Sequence, residues 1–129
     1  MGCMNRKPFP FEKLDVWQDA RKLIVNIYRQ TGEFPKHELY GMTSQLNRAS
    51  VSIANNLAEG SVRASLRDQA HFSNQAYSSL METASDVMIA CDLGFMRPVS
   101  AEALRGQAYD LAVRIHNLRE SQLRRAGGE

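Results

Sequence analysis

Residues 39–60 read LYGMTSQLNRASVSIANNLAEG. Leu39, Met42, Leu46, Ala49, Ile53 and Leu57 recur at steps of three and four, which aligns them along one face of a helix. The alternation of a half-buried strand is absent. Gly60 follows the last apolar position, where glycine is a helix stop signal. A stripe of this kind must be buried against other elements, so the fold depends on what flanks it.

The flanks have the same period. Upstream stand Val16, Trp17, Ala20, Leu23, Ile24, Ile27 and Tyr28. Downstream stand Leu66, Ala70, Ser73, Tyr77, Leu80, Ala84, Val87 and Cys91, with Ser73 a polar intruder, and then Ala101, Leu104, Ala108, Leu111, Ile115 and Leu118. Breakers separate these segments: Pro8 and Pro10, Thr31-Gly32-Glu33-Phe34-Pro35, Glu59-Gly60-Ser61, Leu93-Gly94-Phe95-Met96-Arg97-Pro98, and Gly127-Gly128. The pattern predicts helices over about 14–31, 36–59, 65–93 and 100–124, with Ser100 as the N-cap of the last. Connections of roughly four to six residues suit antiparallel neighbours. The expected fold is all-α: an antiparallel up-down-up-down four-helix bundle forming one domain over 1–129.

Composition narrows the class. The chain has 129 residues, 43% apolar and 23% charged, with a formal net charge of +2. That size supports one core without staples, and that balance excludes a disordered chain. Cys3 and Cys91 form neither a disulfide framework nor a zinc cluster, which suits a reducing compartment. No run reaches the ~18 apolar residues of a membrane helix. The start Met1-Gly2-Cys3-Met4-Asn5-Arg6-Lys7 lacks a signal peptide's apolar stretch, and Arg6 stands where a myristoylation signal has Ser or Thr. Met4 is an alternative start. The expected location is cytoplasmic, with no membrane partner.

Catalytic chemistry finds little support. Asp68-x-x-His71 is the one acid-x-x-His pair, whereas a di-iron bundle needs two such pairs and two further Glu. Phosphate-loop and dinucleotide glycine patterns are absent, and no nucleophile stands with a base and an orienting group. The expectation is a non-enzyme without metal or cofactor.

The 39–60 segment carries a second, polar stripe: Gln45, Arg48, Ser52, Asn55 or Asn56, and Glu59. Asn and Ser are weak interior helix residues because they compete with the backbone for hydrogen bonds. Three readings are open: a solvated face; a seam between helices or subunits, with Arg48 meeting Glu59 or Glu82; and a ligand face for RNA or DNA. Arg outnumbers Lys 12 to 4, and its planar fork suits phosphate. Arg63 and Arg67 follow the stripe at the start of the third helix, where free N–H groups favour anions. Arg119, Arg124 and Arg125 lie at the end of the fourth. Trp17, Tyr28, Phe72 and Tyr77 stand at helical spacing and are read as core. Val51, Ala54, Met88, Ile89, Val113 and Leu123 are apolar but off the seams, so an oligomer is expected.

Several stretches together resemble a family. Phe11-Glu12-Lys13-Leu14-Asp15-Val16-Trp17-Gln18, Phe34-Pro35 and Tyr40-Gly41-Met42-Thr43-Ser44-Gln45-Leu46 open the likeness. Arg48-Ala49-Ser50-Val51-Ser52-Ile53 and Asn56-Leu57-Ala58-Glu59-Gly60 are its most specific part; Ser78-Ser79-Leu80-Met81-Glu82-Thr83 and Asp92-Leu93-Gly94-Phe95 complete it. Over about residues 9–96 the chain resembles bacterial four-helix-bundle proteins encoded in intervening sequences of large-subunit ribosomal RNA genes. The family usually has Pro where Ala54 stands and bulky apolar residues near Gln69, Ala70, Ser73 and Gln75, and Gly is common where Ser78 stands. The resemblance implies a cytoplasmic, non-enzymatic homopentameric ring. It also implies kinship with accessory proteins of diversity-generating retroelements, which bind nucleic acid and a reverse transcriptase.

The leading expectation is a homo-oligomeric adaptor binding RNA or DNA by phosphate contacts with little sequence readout. Its candidate residues are Arg48, Asn55, Arg63, Arg67, Arg124 and Arg125. The alternative is a protein–protein interaction module whose polar stripe (Gln45, Ser52, Asn56, Glu59 and Glu82) is structural.

Overall fold

The computed structural model describes residues 7–128, and Cys3 with the start-site and acylation readings lies outside them. Among the described residues there are four α-helices and no strand: α1 Asp15–Thr31, α2 Ser44–Gly60, α3 Leu66–Asp92 and α4 Pro98–Ala126. Each helix packs on the next, and α1 packs on α4, so the four enclose one shared core. No described helix is long and apolar enough to cross a membrane.

The apolar stripes meet in that core. Leu23 and Ile27 of α1, Leu46 and Ile53 of α2, Leu80 of α3 and Ile115 of α4 are fully buried. Small residues line the close approaches, including Ala20, Ala76, Ala90 and Ala108. Ala54 is buried with them, so the expectation that it is spare surface is corrected; α2 continues unbroken through it. Tyr28 is likewise corrected. It is 47% exposed, while Trp17 and Tyr77 pack against the core.

Two helix ends differ from the periodicity. The segment expected as one helix from 36 starts with a 3-10 turn, Lys36–Glu38, and a π-type turn, Leu39–Thr43. Gly41 there has φ −108 and ψ −114, which is not helical. The Glu38 carboxylate accepts from the Met42 N–H at 3.0 Å and occupies the space a Cβ on Gly41 would need. This local bond outcompetes continuation of the helix. Helix α4 starts at Pro98, with Arg97 at the N-cap, so Ser100 is not the cap. Proline is preorganised for the first helical position, and its missing N–H is one the helix could not have used.

The end of α3 is fixed by Gly94, whose φ of +81 is the left-handed conformation glycine takes without steric cost. The Phe95 N–H reaches the Ala90 carbonyl at 2.9 Å and the Gly94 N–H reaches that of Cys91 at 3.0 Å. These two bonds form a Schellman cap. They direct the chain into Phe95, whose ring packs at a tilt on Phe34.

Candidate nucleic-acid interface

The polar stripe of α2 divides between two environments. Gln45 Nε2 donates to Asp86 Oδ1 at 3.0 Å, and the Ser52 and Ser79 hydroxyls share a bond of 2.9 Å. Asn56 Nδ2 donates back to the Ser52 carbonyl at 2.9 Å and to its hydroxyl at 3.1 Å. Thr83 Oγ1 donates to the Ser79 carbonyl. Gln45 and Ser52 therefore bond α2 to α3, and Asn56 holds Ser52 from within α2, which compensates for the weak helix propensity of the serine and asparagine.

Arg48, Asn55 and Glu59 face solvent instead. The Arg48–Glu59 pairing considered from sequence does not form. The residues lie three turns apart on one helix, and Glu59 meets Arg63 at 3.7 Å. Nor is Arg48 within ion-pair distance of Glu82, which is itself exposed.

Asp86 is the seam residue that periodicity did not single out. It is 3% exposed, and its Oδ2 is buried without a hydrogen-bond partner. Burial pushes its carboxyl above the ordinary range; the Gln45 bond opposes this, and the neighbouring Glu82 charge adds to it. The available signal was its place three residues after Thr83 on the face that carries Leu80, Val87 and Ala90.

The end of the bundle gathers the other candidates. Ser73 Oγ donates to Gln122 Oε1 at 2.7 Å, which places the last turn of α4 beside the start of α3. Arg63 and Arg67 at the α2–α3 turn thus share an end of the molecule with Arg124 and Arg125, and all four are exposed. Arg63 lies over the Phe72 ring, 4.6 Å from its centroid. Phe72 in turn lies against Gly60, where an added Cβ would approach Phe72 Cβ to 2.9 Å. The Arg63 guanidinium is held between Glu59 and that ring, with its charge facing water.

Two expectations change here. Arg48 stands twelve residues before Gly60, the last residue of α2, about 18 Å along the helix axis, so it lies away from the Arg63 end of the bundle. The start of α3 is already capped, since the Ser65 hydroxyl accepts from the Asp68 N–H at 3.1 Å. That bond occupies one of the helix-start amides an anion would use. Asp68 and His71, the acid-x-x-His pair, are both exposed.

Residues 12–117 match the family described as 23S rRNA-intervening sequence protein. The chain belongs to that family. The matched span takes in α1 to α3 and most of α4 of this intervening-sequence protein, including the α2–α3 seam, Arg48, Arg63 and Arg67. Arg124 and Arg125 lie beyond it. No curated protein matches the chain at a significant level.

Proposed function

We propose that this intervening-sequence protein is a non-enzymatic, homo-oligomeric adaptor that binds RNA or DNA through phosphate contacts, with little reading of base sequence. The observation that carries the proposal is the group of exposed arginines, Arg63, Arg67, Arg124 and Arg125, at one end of the bundle. The family description, which names an intervening sequence of 23S rRNA, supports an RNA-related role. Arginine forks positioned by helix ends contact phosphate oxygens, which position a protein on a strand without specifying sequence.

The proposal includes an antiparallel bundle, a ring and a cytoplasmic site of action. Antiparallel pairing is supported by Gln45 meeting Asp86 while Ser52, later in α2, meets Ser79, earlier in α3. A ring is supported by two unlike apolar faces. Between α3 and α4 runs a groove of about 510 Å³ lined by Tyr77, Met81, Met88, Tyr109 and Val113. On the other side, Ile24, Val25, Tyr28 and Val51 form a shallow, mostly apolar patch on α1 and α2, edged by Arg29. Unlike faces that meet head to tail generate rings or filaments, whereas a two-fold dimer uses one face twice. Five copies is the number implied by the family resemblance. The same two faces favour the second reading, an interaction module that holds a protein partner without nucleic acid.

Changing Arg63, Arg67, Arg124 and Arg125 together to Gln tests the proposal. Binding should weaken alike for unrelated sequences, and the salt slope should flatten by about 0.7–0.9 for each phosphate no longer neutralised. A parent protein that binds no RNA or DNA at ~50 mM salt leaves the interaction module as the reading.

A further inference from the structure

Several arginines of the chain are paired with an acid at the surface: Arg63 with Glu59, Arg105 with Glu102, Arg114 with Asp19 and Arg119 with Glu120. The cations in the middle of α1 are not. Residues 20–32 contain Arg21, Lys22 and Arg29 and no Asp or Glu. All three are exposed, and among the described residues none has a carboxylate within ion-pair distance. Arg21 donates to Gln18 Oε1 at 3.3 Å and Arg29 to Asn26 Oδ1 at 3.2 Å, so neutral amides hold them in place.

These side chains border a groove of about 640 Å³ between α1 and α4. Its floor is crossed by Asn26 Nδ2 donating to Gln107 Oε1 at 3.0 Å. No acid lines it, and a smaller adjoining cavity of about 200 Å³ extends it past Gln30 and Ser100. From Arg21 to Arg29 the cations span about 12 Å of helix axis. Amides that are both donors and acceptors accompany positive charge along the whole track.

An aromatic series leads into the same groove. Phe9 and Phe11 stack with centroids 5.6 Å apart and planes 9° from parallel, and Phe11 meets Trp17 at 4.7 Å. Arg21 then lies over Trp17, 5.3 Å from the ring centroid. Gln18 Nε2 donates to the Glu12 carbonyl, which ties the 3-10 turn Pro10–Lys13 to the start of the groove. Phe9 is 63% exposed, so the outermost ring of the series is open to water.

We infer that the α1–α4 groove is a binding track for single-stranded nucleic acid, with the backbone along Arg21, Lys22 and Arg29 and a base stacked on Phe9. A cationic groove beside aromatic faces is the combination that holds single strands without sequence preference. The groove amides can bond base edges, which a duplex keeps paired, and a duplex has no free base face for Phe9. The inference rests on the nucleic-acid reading above, but it assigns single strands to α1 and not to the arginines at the bundle end.

The test uses a short fluorescent uridine oligomer and an RNA duplex of the same length, titrated into the full chain by anisotropy at several salt concentrations. Arg21→Gln/Lys22→Gln/Arg29→Gln should flatten the single-strand salt slope by about two, at ~0.7 per phosphate. Phe9→Ala should weaken single-strand binding about tenfold and leave duplex binding unchanged. Trp17 is the sole tryptophan, so the oligomer should also quench the emission of the parent protein, a readout that needs no variant. Single-strand binding with Trp17 emission unchanged overturns the location. So does an α1 triple variant that folds and binds as the parent does while Arg63→Gln/Arg67→Gln loses affinity; the adaptor reading then survives. Equal losses for oligomer and duplex overturn the single-strand assignment. A parent that binds neither probe overturns both proposals together.

Discussion

Gln45 donates from Nε2 to Asp86 Oδ1 at 3.0 Å, while the other oxygen of the same carboxylate, Oδ2, is buried with no donor. One half of a buried acid is thus satisfied across the α2–α3 seam and the other half is not, which makes Asp86 a pH-sensitive element of stability.

The sign follows from its raised carboxyl, caused first by burial. The folded chain takes up this proton more readily than the unfolded chain. The stabilisation is therefore complete below the unfolded value of 3.8 and is lost as pH rises through the raised folded value. Asp86→Asn should raise the melting temperature at neutral pH and remove part of the pH dependence above 3.8. Gln45→Ala should act oppositely, destabilising by about 1–3 kcal/mol at neutral pH because it leaves the ionised carboxylate without its donor. Thermal melts across pH check both.

The Ser73–Gln122 bond predicts a non-additive pair. Both residues are buried, so Ser73→Ala leaves the Gln122 carbonyl without its donor and should cost about 1–3 kcal/mol. Replacing both, as Ser73→Ala/Gln122→Leu, should recover much of that loss. A urea-denaturation double-mutant cycle measures the coupling.

The core makes two further stability predictions. Leu46→Ala, at a side chain with no exposure, should cost about 2–5 kcal/mol. Gly60→Ala should cost about 1–3 kcal/mol by overpacking, because its new methyl meets Phe72 Cβ and not a flexible side-chain end. The second variant should also disturb Arg63, which stacks on that ring. Denaturant midpoints read the first effect, and a changed salt slope reads the second.

Assembly is predicted through Met88, which is 52% exposed on the α3–α4 groove. Met88→Glu should leave the monomer folded and shift sedimentation toward the 14.5 kDa chain, because a charge cannot be buried there without a partner. Tyr28→Glu, on the opposite face, should do the same if the ring closes head to tail.

Arg48 separates affinity from stability. It is exposed and has no ion pair among the described residues, so Arg48→Gln should leave the stability within about 0.5 kcal/mol of the parent, as read by thermal melting. Any fall in nucleic-acid affinity then reports a phosphate that Arg48 binds and not a folding defect.

Much of the fold was legible because its signals are local. Steps of three and four located each helix, and Gly94 and Pro98 marked ends through backbone conformations that need no tertiary partner, whereas Gly60 closes α2 where Phe72 leaves no room for a Cβ. The misplaced start of α2 arose from another local bond, Glu38 to Met42, that periodicity does not encode. The candidate site was legible only in part. Arg63, Arg67, Arg124 and Arg125 stood out by residue type, but Arg21, Lys22 and Arg29 were hidden within an apolar helix whose core stripe dominated its reading.

By itself the sequence determined the helices, the core stripes and the membership of a family, since each rests on residues close together or in a fixed order. The tertiary structure decided which polar residues meet. It turned Gln45 and Ser52 toward α3 and left Arg48 outside, joined Ser73 to Gln122 across 49 residues, and opened a groove between α1 and α4 beside unpaired cations. The physical reason is that a helix period specifies the direction of a side chain from its own axis, while its partner depends on the distance and rotation of a second axis, which only the packed core sets.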